Sequence, residues 1–213
     1  MKLNKLMFRE YDIRGIWNED ITEEISYYIG RAYATKLLSL KKNKMIVGYD
    51  NRLSSPIIEK NLVKGLTDGD VDVVRLGLVT TPMYYYAWDK LNIHCGIMIT
   101  ASHNPKEYNG FKMSYNGIHN CFGNEVAELY YIILNGIYSK GNGSITDANI
   151  KEDYIKMINS HINMGSNKLK VIYDCGNGTT SIVAKDIFVS NDNIEYIPLF
   201  AESDGTFPNH HPD

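Results

Sequence analysis

Short apolar stretches alternate along this chain with longer ones in which apolar positions recur every three to four residues. The run MIVGYD (45–50) is almost wholly apolar and predicts a strand covered on both faces. DVVRLGLV (72–79), CGIMIT (95–100), GFKMSY (110–115), LKVIYD (169–174) and IEYIPLF (194–200) predict strands of the same kind. Helices are expected between them. From Thr22, the residues Ile25, Ile29, Ala32, Tyr33, Leu37 and Leu40 keep the helical period, with Glu23 and Glu24 at the positive end of the dipole. SSPIIEKNLVKGL opens with a serine cap and places Pro56 at the first helical position, and TTPMYYYAWDKL repeats the device with Thr81 and Pro82. Within it, Tyr84, Tyr85, Tyr86 and Trp88 are expected to cover the sheet with their hydroxyls reaching solvent. Residues 124–137, 152–162 and 179–188 complete the set of helices.

Strands alternating with helices imply an α/β architecture with a parallel or mixed sheet. The polar, Gly/Ser-rich stretch YSKGNGSITDAN (138–149) reads as a linker, dividing the chain into units 1–145 and 146–213. The second unit is small for an α/β domain and stops at FPNHHPD, a loop-like sequence, so it is expected to be truncated and the chain to be a fragment.

Composition narrows the function classes. With 213 residues, 44% hydrophobic and 22% charged, the chain has ample material for a core, and a net charge of -3 gives no reason to expect nucleic acid or anionic membrane as a partner. Cys95, Cys121 and Cys175 are widely spaced, which argues against a disulfide framework or a zinc site and fits a reducing compartment. Arg9, Glu10 and Asp12 interrupt the start before any signal-like apolar run, and no stretch approaches the ~18 apolar residues of a membrane span. A cytoplasmic location is the expectation.

The candidate chemistry gathers at strand ends. GIMIT delivers Ala101, Ser102 and His103 beyond the carboxyl end of a strand, where open α/β sheets bind ligands. A serine hydroxyl needs a base, a cation or a metal to act as a nucleophile; His103 is adjacent and Lys112 can return on the next strand. An Asn-Pro turn with a capping serine accounts for the same letters. FREYDIRGIW collects Arg9, Tyr11, Asp12 and Arg14, a set suited to phosphate or carboxylate but equally to surface ion pairs. In VGYDNRLSS, Arg52 beside a helix N-terminus suits an anion, unless Asp50 simply pairs it.

Taken together, YDIRG, GYDNRLSS, TPMYYYA, GIMITASHNPKEYNGFKM, VIYDCGNGTTS and DGTFPNHHPD resemble, in order, the motifs of the phosphohexomutases, in particular the phosphomannomutase/phosphoglucomutase branch. The resemblance runs from Phe8 to Asp213. It implies three-layer α/β/α domains with a mixed sheet, the first complete and the second cut short. It also implies that Ser102 carries a phosphoryl group, contributes through it to a Mg2+ site, and passes it to a hexose phosphate by way of a hexose 1,6-bisphosphate. Arg14 and Lys112 match family residues near the phosphoserine, Tyr11 matches an active-site tyrosine, and Asn104 is expected to hold the loop. His103 and Lys112 are the candidates for proton transfer. A phosphoserine carries roughly -1.5 to -2 charge at pH 7, which accounts for cationic neighbours.

The chain departs from the pattern at its end. The family's Asp-Gly-Asp-Gly-Asp-Arg metal loop lies beyond DGTFPNHHPD, so Ser102 lacks its fellow ligands and the 213 residues are expected to be inactive alone. LTDGDVDVV (66–74) looks like that loop but joins a helix to a strand, and Val73 excludes an EF-hand. His210 and His211 lack partners at zinc-like spacing. Two other readings stand beside the mutase. One is a non-catalytic sugar-phosphate-binding module. The other is a dinucleotide site at Gly176 and Gly178, with Glu202 as the ribose acid.

Overall fold

The apolar run around Ile46 forms β2 (Lys44–Tyr49), and its alternation decides the layers. Met45 and Val47 face one core, packed under α1 (Glu23–Ser39), α2 (Ser55–Thr67) and α4 (Asn124–Asn135). Ile46 faces the other, with α3 (Thr81–Leu91), α5 (Lys151–His161) and α6 (Ser181–Phe188). Both faces are therefore dry, which is why the strand reads as continuous apolar sequence rather than as alternation. The computed structural model describes residues 3–212, so Asp213, the last residue of the FPNHHPD motif, lies outside it.

Parallel neighbours β3 (Asp72–Leu78) and β4 (Gly96–Ile99) flank β2, each reached through a helix. Beyond β4 the direction reverses. β5 (Tyr108–Ser114) runs antiparallel to β4, and β1 (Ile13–Ile16) antiparallel to β5. With β6 (Ile145–Asp147) parallel to β3 at the far edge, the order is β1-β5-β4-β2-β3-β6, a mixed sheet between two helical layers. A separate parallel pair, β7 (Leu169–Asp174) and β8 (Ile194–Leu199), follows.

Four sequence expectations change. The stretch 138–149 is not a plain linker: β6 pairs with β3 from within it. All three of its side chains are exposed, so backbone hydrogen bonds, together with the Asp147–Arg75 pair at 2.8 Å, recruit it and no apolar signal is needed. In α3 the cap is Thr80, whose Oγ1 accepts from the Met83 N–H at 3.3 Å, and Pro82 takes the second position after Thr81. In α2 Ser54 makes no capping bond. It accepts instead from Asn109 Nδ2 at 2.8 Å, while Ser55 donates to Asp50 Oδ1 at 2.7 Å, because a buried carboxylate and amide need those partners more than the helix end does. Finally, the Tyr84 hydroxyl does not reach solvent: the side chain is fully buried and its oxygen lacks a hydrogen-bond partner.

Helices α1 and α2 approach closely enough to exclude a Cβ at their crossing. One built on Gly65 would lie 2.1 Å from the Tyr27 carbonyl oxygen, and one on Gly30 2.3 Å from that of Leu62. All three cysteines are buried free thiols, and burial pushes that of Cys121 up to about 12. Among the described residues no helix is long and apolar enough to cross a membrane.

Candidate active site

Strand β4 ends in Thr100 and Ala101, and the chain turns away from the sheet before returning as β5. Ser102 stands on that turn, exposed, in the left-handed region at φ 56°. A non-glycine residue holds this conformation only when its surroundings fix it, at a cost of order 1–3 kcal/mol. The surroundings here are specific. The Ser102 N–H donates to Thr100 Oγ1 at 3.0 Å, and the Asn104 N–H to the Ala101 carbonyl at 3.1 Å. Ser102 Oγ and His103 Nδ1 are 3.5 Å apart. The side chain is thus presented outward while the backbone beneath it is tied down.

Arg14 and Lys112 come to the same side through strand register. Arg14 in β1 pairs with Gly110 in β5, and Lys112 lies two residues farther along β5, on the same face. Gly110 permits this closeness, since a Cβ there would fall 2.3 Å from the Ile13 carbonyl oxygen. Arg14 is buried, donates through one terminal nitrogen to Asp12, and through the other to the Asn104 side chain. That contact links β1 to the serine turn. Lys112 has no carboxylate within salt-bridge distance among the described residues; its Nζ stands 5.9 Å from the ring centroid of the exposed Tyr11. Of the residues singled out from sequence, Ser102 meets His103, Arg14 meets Asn104, and Lys112 meets Tyr11.

Arg52 is not an open anion site. It is 1% exposed, and every N–H of its guanidinium is committed. Nε donates to Asp50 at 3.2 Å. One terminal nitrogen donates to the carbonyls of Pro105 and Tyr108 at 2.6 and 3.1 Å, the other to those of Ser102 and Asn104 at 3.0 and 2.7 Å. Four of its five acceptors are backbone oxygens, which have no sequence signature; only the Asp50-to-Arg52 spacing hinted at the pair.

Opposite the serine turn, a cleft of roughly 710 Å³ runs from Ser102 and His103 to Asp174, Gly176, Thr179 and His210. Its glycine turn does not offer the free amides a pyrophosphate requires. The N–H groups of Gly176, Asn177 and Gly178 donate to Asp174 Oδ1, the Phe200 carbonyl and the Cys175 carbonyl at 2.7, 2.9 and 2.8 Å. Glu202 is exposed, and its carbonyl accepts from the Asn177 amide at 3.0 Å.

His210 stands over that turn. Its Nδ1 faces the His211 carbonyl at 2.7 Å and its Nε2 the Asp174 carboxylate at 3.2 Å, so both ring nitrogens meet acceptors and the doubly protonated ring is favoured. The His211 carbonyl foremost, then Asp174, raises the His210 pKa, while the Gly176 N–H foremost, then His210, lowers that of Asp174. A raised histidine pKa gives a contribution fully present below the unfolded value of about 6.5 and lost as pH rises through the folded one; the lowered carboxylate keeps its own down to acid pH. The His210 ring protons are expected to titrate above the free-histidine range by NMR, and Asp174→Asn to move them back down. A wild-type midpoint at or below the ordinary value refutes the contact.

Among the described residues no group of three or more His, Cys, Asp or Glu side chains is placed to hold a metal ion. Asp68 and Asp70, in the stretch that mimics a metal loop, serve the turn from α2 to β3. Asp68 pairs with Lys64 at 2.8 Å, and Asp70 accepts from the Asn142 N–H at 3.3 Å. The residues present therefore do not by themselves fit the Mg2+ site that the motif resemblance implies.

Known proteins share this fold. A family model described as "Phosphoglucomutase/phosphomannomutase, alpha/beta/alpha domain I" matches residues 5–136. A phosphomannomutase/phosphoglucomutase of Pseudomonas syringae pv. tomato is 43% identical over 208 residues, covering 97% of this chain and 44% of that protein. A phosphoglucomutase of Neisseria meningitidis serogroup B is 39% identical over 209 residues, covering 97% and 45%. The crystal structure of a phosphoglucomutase/phosphomannomutase family protein from Burkholderia thailandensis superposes with a TM-score of 0.93 at 33% identity, over 100% of this chain and 47% of that one. The chain thus spans a little under half the length of these curated relatives. The matched model spans the sheet from β1 to β5 and includes the serine turn, and on that match the chain belongs to the phosphoglucomutase/phosphomannomutase family.

Proposed function

We propose that this chain is the phosphoryl-carrying part of a cytoplasmic phosphohexomutase, in which Ser102 exchanges a phosphoryl group with O1 and O6 of glucose or mannose phosphate. The observation that carries the reading is the exposed Ser102, held at φ 56° on a turn whose Asn104 is gripped by the buried Arg14. Phosphoryl transfer asks for little beyond placement and charge neutralisation; the fixed serine meets the first, and Arg14, bonded to Asn104 of the same turn, with Lys112, are the cations for the second.

In the forward step the bond from phosphorus to Ser102 Oγ breaks as a sugar hydroxyl attacks. His103 or Lys112 takes the hydroxyl proton, and the serine oxygen leaves as an alkoxide that Arg14 and Lys112 stabilise until it is reprotonated. The product is a hexose 1,6-bisphosphate. It turns end over end and returns its other phosphoryl group to Ser102, releasing the isomerised monophosphate. Mg2+ bound through the Ser102 phosphate would neutralise charge, but its other ligands are not among the residues described. Hexose phosphates are the partners; nucleic acid and membrane are not.

The test is to incubate the chain with glucose 1,6-bisphosphate and Mg2+, then weigh the intact protein and map any added group. One phosphoryl group on Ser102 is expected. No added phosphoryl group, or one elsewhere, refutes the reading.

A further inference from the structure

Nothing in the proposed chemistry uses Arg52, yet it is a large, fully buried charged side chain directly beneath the serine turn. Its four carbonyl acceptors belong to residues 102, 104, 105 and 108, so one planar group fixes both ends of the loop and its middle. A guanidinium is suited to this because its five N–H donors lie in a rigid fork; a lysine offers three and cannot span four carbonyls. Asp50 orients the fork from below, accepting from Arg52 Nε and from the Ser55 hydroxyl.

The segment Asp50, Asn51 and Arg52 also touches the second unit. The Asn51 N–H donates to Thr179 Oγ1 at 3.0 Å, and its amide donates to the Asn177 carbonyl at 2.7 Å. Phe207 lays its ring 5.4 Å from the Arg52 guanidinium carbon. Gly205 sits so near that a Cβ on it would lie 2.2 Å from the Asn51 carbonyl oxygen. Asp50, Asn51 and Arg52 thus join the cleft's far wall to the loop that presents Ser102.

We propose that Arg52 is a positioning residue for Ser102: it sets the left-handed serine turn through four carbonyls, and the second unit seats it through Asn51 and Phe207. The assignment deepens, and rests on, the phosphoryl-carrying role of Ser102. It requires that loosening Arg52 slow phosphoryl transfer without weakening capture of the donor. A misplacement of about 1 Å at a reacting group costs on the order of 10²-fold in rate.

The test compares the wild-type chain with Arg52→Lys and with Arg31→Lys. Arg31 is a partly buried arginine that donates to the Ser139 carbonyl, far in sequence from the serine turn, and serves as the control for general destabilisation. Two readouts are taken: the rate of Ser102 phosphorylation against glucose 1,6-bisphosphate concentration, and amide hydrogen exchange along the chain. Arg52→Lys is expected to lose about 10²-fold in limiting rate, with the half-saturating donor concentration unchanged. Its exchange should quicken over residues 101–108 and not in β2 or β4. Arg31→Lys should keep the wild-type rate. An Arg52→Lys chain with wild-type rate and wild-type exchange in the loop overturns the proposal, as does an equal loss of rate in Arg31→Lys. If the wild-type chain takes up no phosphoryl group, the functional reading fails on its own, and exchange over 101–108 alone decides whether Arg52 holds the turn.

Discussion

Replacing Ser102 by alanine is expected to abolish phosphoryl uptake while leaving the thermal midpoint almost unchanged. The two halves of this expectation have separate physical grounds. Uptake depends on the hydroxyl oxygen, and no other hydroxyl stands on the turn between Ala101 and Glu107. Stability does not depend on it: the residue is exposed, and its oxygen has only the 3.5 Å approach to His103. The bond from its N–H to Thr100 is made by the backbone and survives the change. Alanine at φ 56° suffers the same left-handed strain as serine, so the net shift should fall within the ~0.5 kcal/mol usual for exposed positions. Intact mass after incubation with the bisphosphate and a thermal melt read the two halves independently. Phosphoryl uptake persisting in Ser102→Ala would move the chemistry to another residue; a collapsed melt would make the serine structural.

The second large effect concerns stability alone. Gly65→Ala should destabilise the chain by about 2 kcal/mol or more, although alanine is the better helix former by up to ~1 kcal/mol. The added methyl meets the Tyr27 carbonyl oxygen at 2.1 Å, with the Tyr27 carbonyl carbon and Arg31 nitrogen behind it at 3.0 and 3.1 Å. These are backbone atoms of α1, so no rotamer change relieves them and the two helices must separate. Overpacking of this kind costs typically 1–3 kcal/mol, and parting the helices also loosens Leu62 and Leu66 from Ile29 and Tyr33 in the core between them. Gly30→Ala should act alike, through the Leu62 carbonyl at 2.3 Å. In the double variant the second substitution should cost less than the first, because the helices have already moved apart. Urea unfolding midpoints measure all three. A Gly65→Ala chain as stable as wild type would mean that the crossing is looser than described.

How much of this was legible beforehand depended on where each partner sits. The central strands announced themselves, since β2 and β4 are apolar on both faces. β1 did not, because Arg14 and Gly15 occupy half of a four-residue strand. β6 was hidden in a polar stretch, recruited by main-chain hydrogen bonds rather than by burial. At the site, Ser102 was legible through its motif and its place at a strand end. Arg52 was visible as a residue, with an anion or Asp50 as its possible partner; the Asp50 pair holds, but four of its five acceptors are main-chain oxygens of residues 50 or more positions away and left no trace in the sequence. The serines before Pro56 carried a genuine helix-start signal, yet their hydroxyls turned to Asp50 and Asn109, a demand that appears only once strand and helix are packed.

The short β6 also bears on the order in which the protein is made. As the chain leaves the ribosome, β2, β3, β4 and β5 are all available by residue 114, but the outer edge of β3 has no neighbour until Ile145–Asp147 emerges. Throughout that interval the row of backbone donors and acceptors along Asp72–Leu78 is open to any passing strand, including that of a sister chain on the same messenger. Three exposed residues that add nothing to the core cover the Val73–Arg75 part of that row, and Asp147 then stands beside Arg75 at the edge, where charge discourages further pairing.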